Sequence, residues 1–522
     1  MPLRLSGIII FPRLQRSKEG SKAMLDPKTL LTDDQMRHFI AHGYLVFKAD
    51  FPREFHETMR VKIEEAMHKE GNPGNNILPR VPEIQEVFDH PTIGGALTSV
   101  LGPNYIMHPH RHGHFSEPGR KVQAWHKDSY WGHAKVRNHH QWWAMIFYFN
   151  QDVVEEMGPS AIMPGTQYYH SRPGDESEVE EHVLGEAGTF ALIHYDIWHK
   201  GTANVSDRNR SMLKFQFVRM ERPQAPTWNN QRRDWTPMNG EGPSNQHEIV
   251  WQHQWRWLSG QGSSASNGAN SANGQIGHLI DALADNDKQI RLRAADALGL
   301  LGPVAGDAIP ALTKALGDEY EPVALNAAYA LANLGAPAVN ALTGALQDGS
   351  KDIARNAAYA LSATGPAAAP ALADLLSHPA ETARGYAAYA LGEIGATAPA
   401  TLPALTQLAT DESEWVRRNV VEALGTLDAP AATLVPTLTH ALASDADGQV
   451  RFTAALSLAR LGAKAADAVP ALQQALKDEN RYVRANAVDA LNRIGTPAAK
   501  DILIHYLLAA RWCPTTTPEN LF

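Results

Sequence analysis

The stretch MHPHRHGHFSEPGRKVQAWHKD, residues 107–128, carries five histidines. His108, His110, His112 and His114 fall at every second position, and His126 stands two residues before Asp128. On a β-strand both spacings aim side chains at one face, so both can present metal ligands. A His-x-Asp pair completed by one distant histidine binds non-haem iron on one face and leaves three positions open. His199, in GTFALIHYDIWHKGTANVSDRNR (188–210), is the candidate for the distant ligand, and Arg210 closes the same stretch. An iron oxygenase that consumes 2-oxoglutarate needs a cation for the far carboxylate of that co-substrate, and a planar guanidinium pairs both its oxygens. His126, Asp128, His199 and Arg210 are thus a chemically complete set for Fe(II), with 2-oxoglutarate and O2 as co-substrates.

The alternating histidines keep other readings open. His110, His112 and Glu117 reproduce part of a cupin metal motif, although the glycines expected around it are missing and no second motif follows. Otherwise the four histidines share one strand face alongside the iron pocket, with His110 and His112 touching substrate or the ligands and His108 and His114 at the rim or in packing. His194 either supports the ligands or packs. Tyr130, Trp131, Trp142, Trp143 and Tyr148 make the surroundings aromatic, and Tyr130 and Trp131 are candidate substrate contacts. His133, His139 and His140 read as solvated loop residues. A reading from a different class is a non-catalytic scaffold whose barrel only binds a protein, and the intact ligand set argues against it.

The elements that must position these residues are legible in outline. LTDDQMRHFIAHGYLVF (31–47) predicts a helix capped by Thr32, with Asp33 and Asp34 in its first turn, ended by Gly43 and followed by a strand. From 104 to 220, short runs rich in aromatic and β-branched residues are separated by Gly, Pro and Asp. They predict an antiparallel sandwich or barrel. Residues 221–258 hold five tryptophans in a polar setting and read as a loop-rich cover.

Four pieces resemble the phytanoyl-CoA dioxygenase family of Fe(II)/2-oxoglutarate oxygenases over roughly residues 30–220. They are the entry helix and strand, EPG followed by WHKDSYW, EMGPSAIMPGTQ, and the 188–210 stretch. The resemblance implies a double-stranded β-helix with iron on His126, Asp128 and His199 and the 2-oxoglutarate C5 carboxylate on Arg210. It also places Trp142 and Thr202 near the co-substrate and gives Asn204 a structural role. Glu117 stands where a lysine is frequent, and Lys200 interrupts the usual His-Gly after the distal ligand. Both departures count against an acyl-CoA substrate. A carboxylate at 128, where related halogenases carry a small residue, favours hydroxylation.

The second half repeats. ADALGLLG, AYALANLG, AYALSATG and AYALGEIG end at Gly302, Gly335, Gly365 and Gly395, and related phrases end at Asp428, Gly462 and Gly495. Proline opens a second helix in most units, and Gly ends the first. One such hairpin cannot bury its apolar face alone, so about seven must stack as an all-α solenoid. The units resemble HEAT repeats of the short, lyase-associated kind and predict docking of a protein partner or carrier-borne substrate. The expected organisation is an extension at 1–30, disordered, with Met24 as an alternative start; an oxygenase domain at 31–258; a Gly/Ser/Asn linker at 259–275; the solenoid at 276–507; and a tail at 508–522.

The formal charge of -9 argues against a nucleic-acid or membrane-surface binder. No apolar run is long enough to span a membrane. Cys513 is the only cysteine, which fits a reducing, cytoplasmic setting.

Overall fold

The computed structural model describes residues 26–129, 136–174, 179–262, 273–395 and 401–509. The expectations for residues 1–25, Tyr130, Trp131, His133, the centre of the linker and most of the tail lie outside them; the end of the extension expected to be disordered is instead ordered, with a 3-10 turn at Pro27–Thr29 capped by Asp26. Among the described residues no helix is long and apolar enough to cross a membrane.

The first helix, Asp33–His42, starts where the sequence predicts. The Thr32 side chain accepts from the Gln35 amide while Gln35 caps the Thr32 amide in return, and Gly43 ends the helix with a φ of 82°. Among the described residues eight strands follow: β1 (Tyr44–Lys48), β2 (Tyr105–Ser116), β3 (Trp143–Phe149), β4 (Ser160–Ile162), β5 (Glu181–Val183), β6 (Thr189–His194), β7 (His199–Gly201) and β8 (Arg210–Arg219). They form a five-stranded sheet, β1-β6-β3-β8-β2, and a three-stranded sheet, β5-β4-β7. All pairings are antiparallel. This is the β-rich half expected of a double-stranded β-helix.

The central strands β3 and β8 are buried on both faces, and β3 accordingly lacks polar alternation. Ala144, Ile146, Leu213, Phe215 and Phe217 share a core with Ile84, Phe88, Ile93 and Leu97 of the flanking helices, and the Phe88 and Phe215 rings lie 4.4 Å apart. The alternate residues of β8, Arg210, Met212 and Lys214, face a cleft closed on its other side by β4 and β7.

The C-terminal half is the expected stack of paired helices, from Asn273–Ala282 to Pro497–Ala509. Most joints carry a bidentate ion pair that links one repeat to the next. Arg291–Asp318, Arg384–Asp411, Arg417–Asp445 and Arg451–Asp478 each span 2.7–2.8 Å at the closer contact.

The Trp-rich segment is more ordered than its composition suggests. It ends in a helix, Glu248–Leu258, whose Trp251 and Trp255 are fully buried. Trp228 Nε1 donates to Asp33 Oδ1 at 2.7 Å, and the Ile249 amide donates to Asp296 Oδ1 of the first repeat at 3.0 Å. The segment thus ties the entry helix to the first repeat.

Part of the solenoid surface is occupied by the chain's own N-terminal half. His139 Nδ1 lies 3.0 Å from Tyr329 Oη, and its ring stacks on Tyr359 at 3.7 Å. His140 pairs with Glu393, whose other oxygen accepts from Trp142 Nε1 at 2.9 Å. Arg460 lies over the Trp142 ring at 5.0 Å. His139 and His140 are therefore buried, not solvated, at 5% and 6% exposure. The tyrosines of the AYAL phrases are what buries His139. Replacing Glu393 with alanine strands the Trp142 and His140 donors, at roughly 1–3 kcal/mol for each buried group left unpaired. Denaturant unfolding of the full chain should show a clear fall in midpoint; an unchanged midpoint would show that the two halves do not depend on this contact.

Candidate metal centre

His126 and His199 are brought side by side by a two-way backbone bridge: each amide donates to the other's carbonyl at 3.0 Å. His126 Nδ1 lies 3.0 Å from the Ala124 carbonyl, and His199 Nδ1 3.1 Å from that of Ile197. A carbonyl only accepts, so each Nδ1 carries the proton and each Nε2 keeps its lone pair for a metal. His199 Nε2 is buried without a partner. Burial pushes His199 down to about 4, which keeps the ring neutral.

Asp128 is 1% exposed. Its Oδ1 lies 3.7 Å from His199 Nε2, and its Oδ2 accepts from Lys214 Nζ at 2.5 Å. Burial alone would raise this carboxyl, but the Lys214 ammonium holds it below the usual carboxylate range. One ligand atom from each of His126, Asp128 and His199 lies within 4.8 Å of the others. Among the described residues this is the one such group, so His110, His112 and Glu117 do not assemble a second centre.

The cleft is bounded by His126, His199, Phe147, Ser160 and Thr202 and by Arg210, Met212 and Lys214 of β8. At its far end Arg210 is 4% exposed, yet its Nε and Nη1 have no partner. Ser116, its register partner on β2, also has an unpaired buried hydroxyl. Burial lowers Arg210 to about 10, still far above neutrality. Buried donors without acceptors are costly, and these converge where an anion would satisfy them. The donor set fits Fe(II), and the guanidinium fits a carboxylate.

The other predicted residues divide. Thr202 lines the cleft while donating to the Pro159 carbonyl at 2.9 Å. Trp142 does not line it; the residue lies just before β3, at the end of the sheet covered by the repeats, and its indole serves Glu393. His110 and His112 are also outside the lining. His110 Nδ1 lies 2.8 Å from Tyr482 Oη of the last repeats, and His112 Nε2 lies 3.3 Å from Asn72. His114, expected at the rim, lines the cleft with a buried, unpaired Nε2. His108 packs against Trp143 and Phe452. His194 accepts from the Asp196 amide at 3.2 Å, away from the cleft. Asn204 is structural: its amide donates to the Ser116 and Arg208 carbonyls at 2.8 Å each. Lys214 went unrecognised in the sequence; its place four residues after Arg210 on one strand, hence on the same face, was the available signal.

Residues 41–212 match the sequence model of the phytanoyl-CoA dioxygenase family (PhyH). Residues 276–362, 369–435 and 435–512 match HEAT repeats. No curated protein sequence matches the chain significantly. Among solved structures, the non-heme alpha-ketoglutarate-dependent carbocyclase SnoK from nogalamycin biosynthesis is 19% identical, with a TM-score of 0.31 over 37% of this chain and 85% of that one. The apoform of EctD from S. alaskensis is 13% identical, with a TM-score of 0.33 over 39% and 82%.

The burial that shapes the site makes the fold acid-labile. Burial holds His194, His199 and His247 near 4 and pushes His108, His114, His139 and His253 well below the ordinary imidazole range. Unfolded, each titrates near 6.5. Between these values the unfolded chain binds protons that the folded chain does not, so stability falls on acidification, by up to about 1.4 kcal/mol per pH unit per histidine. Asp296 and Asp489, raised by burial to about 7, act in the opposite sense but are outnumbered. Scanning calorimetry should show the melting temperature dropping from pH 7 to pH 5.5; a flat or rising profile would contradict the neutral, buried histidines.

Proposed function

We propose that this chain, a phytanoyl-CoA dioxygenase family domain joined to HEAT repeats, is an Fe(II)- and 2-oxoglutarate-dependent oxygenase that hydroxylates an unactivated carbon of a small or carrier-bound organic substrate. The observation that carries this reading is the convergence of His126, Asp128 and His199 at one end of a cleft whose other end holds a buried guanidinium with two unpaired nitrogens. His126, Asp128 and His199 would hold Fe(II), and Arg210 the C5 carboxylate of 2-oxoglutarate. The bound metal and co-substrate supply the oxidising chemistry, driven by loss of CO2 from 2-oxoglutarate with O2 as oxidant.

The chain's own residues prepare for it. The Ala124 and Ile197 carbonyls fix the two imidazoles with Nε2 toward the metal. Phe147 and Met212 narrow the cleft and keep water from its walls. Asn204 pins the loop between β7 and β8, and with it the start of the strand that carries Arg210. For the repeats we propose a first duty in cis, covering His139–Trp142, with their outward surfaces left for a protein or carrier. The lone cysteine suits the cytoplasm.

Anaerobic addition of Fe(II) and 2-oxoglutarate to the full chain should produce a weak visible charge-transfer band. The band should be missing in His199→Ala, and in Arg210→Leu it should need more than about tenfold higher 2-oxoglutarate, since a bidentate, charge-assisted contact is lost. If the wild-type chain gives neither the band nor succinate on admission of air, the oxygenase reading fails.

A further inference from the structure

Lys214 is a buried cation in direct contact with a residue of the candidate metal centre, and nothing in the reading above requires it. It is 3% exposed, and Asp128, its ion-pair partner, is 1% exposed. A lysine this deep in a sheet core is tolerated only when paired. Its Nζ donates to Asp128 Oδ2 at 2.5 Å. The opposite oxygen, Oδ1, is the one that lies 3.7 Å from His199 Nε2. The two carboxylate oxygens are therefore already divided between a cation of the protein and the histidine side of the site. The Asp128 backbone is fixed as well, since its carbonyl accepts from Tyr195 Oη at 3.0 Å.

The placement of Lys214 is set by the sheet. In β8 it stands opposite Phe147 of β3 and His112 of β2, on the face that carries Arg210 and Met212 into the cleft. Four residues along a strand separate its Cα from that of Arg210 by about 13 Å. The two cations thus serve opposite ends of the cleft: Arg210 has unpaired donors, whereas the Lys214 ammonium is committed to Asp128.

We infer that Lys214 is a positioning residue that restricts Asp128 to binding the metal through Oδ1 alone. This inference rests on the metal reading above. A carboxylate with both oxygens free can chelate a metal and take one of the three positions that a two-histidine, one-carboxylate site must leave open. The ammonium on Oδ2 prevents that, and it fixes the plane of the carboxylate in the way that outer partners orient metal ligands.

The test uses the full chain with Co(II), whose visible absorption reports coordination number, and 2-oxoglutarate binding read from the change in that absorption. Lys214→Met should alter the Co(II) spectrum before any co-substrate is added and weaken 2-oxoglutarate binding about tenfold or more. Lys214→Arg, which keeps a cationic donor, should restore the wild-type spectrum and come within about threefold of wild-type 2-oxoglutarate affinity, taking that tenfold loss as the scale. A folded Lys214→Met chain with wild-type spectrum and affinity overturns the inference while leaving the metal reading standing. Should Lys214→Met fail to fold, Lys214→Gln fills similar space without the charge, and a wild-type spectrum and affinity there overturn the inference equally. A wild-type chain that binds no Co(II) overturns both.

Discussion

The reciprocal amide–carbonyl bridge between His126 and His199 is the constraint on which the site depends. It involves no side chain, and it ties the segment after β2 to the start of β7. Because the bridge fixes both backbones, each imidazole needs only one further restraint, and a nearby carbonyl supplies it. Asp128, two residues along from His126, then falls beside His199. Main-chain geometry thus fixes the backbones that carry the two histidine ligands, and side chains add the remaining restraints. The site can therefore sit at the edge of the cleft, with His126 only partly buried, and still be fixed.

The rest of the architecture serves to surround that bridge. On one side the large sheet presents Phe147, Met212, Lys214 and Arg210. Beyond the end of that sheet the repeats cover the segment leading into β3, and polar pairs cross that junction alongside apolar contacts. Glu393 satisfies both Trp142 and His140, and Glu321 accepts from the His170 and Ser171 amides at 2.5 and 2.8 Å. Such groups are expensive to bury unless every partner is present, so the junction specifies one docking geometry. The HEAT surface that would ordinarily read as a platform for another molecule is, over the AYAL tyrosines, an internal interface.

Much of this was legible because local rules and the global fold agree. The capping box at Thr32, the turn at Gly43, the repeat glycines and the His-x-Asp, His, Arg order each have a short-range or motif-level signature. What was not legible depended on contacts between distant segments. His139 and His140 sit in a polar stretch and look solvated until helices almost 200 residues and more downstream close over them. Trp142 has the composition of a pocket residue, but its neighbours come from the repeats. Lys214 stands between apolar residues, and only the strand order places its ammonium on Asp128. The Arg–Asp pairs between repeats were hidden for the same reason: their partners stand 27 or 28 residues apart.

The alternating histidines show how strand periodicity and tertiary context divide the work. Across β2 and β8 the register pairs His112 with Lys214, His114 with Met212 and Ser116 with Arg210, so these β2 residues share the cleft-facing side of the sheet. A register shift between Met107 and Arg111 then interrupts the ladder. Beyond it His108 and His110 meet Tyr482, and His108 also meets Phe452, both from the repeats. One face of a single strand therefore runs from the cleft, where His114 and Ser116 keep unpaired polar atoms, to the solenoid, where the histidines are packed. Period two dictates that these side chains align. The bulge and the repeats decide which of them remain available to a ligand, and that division ties the wall of the cleft to the solenoid, so that the two halves form one structure around one site.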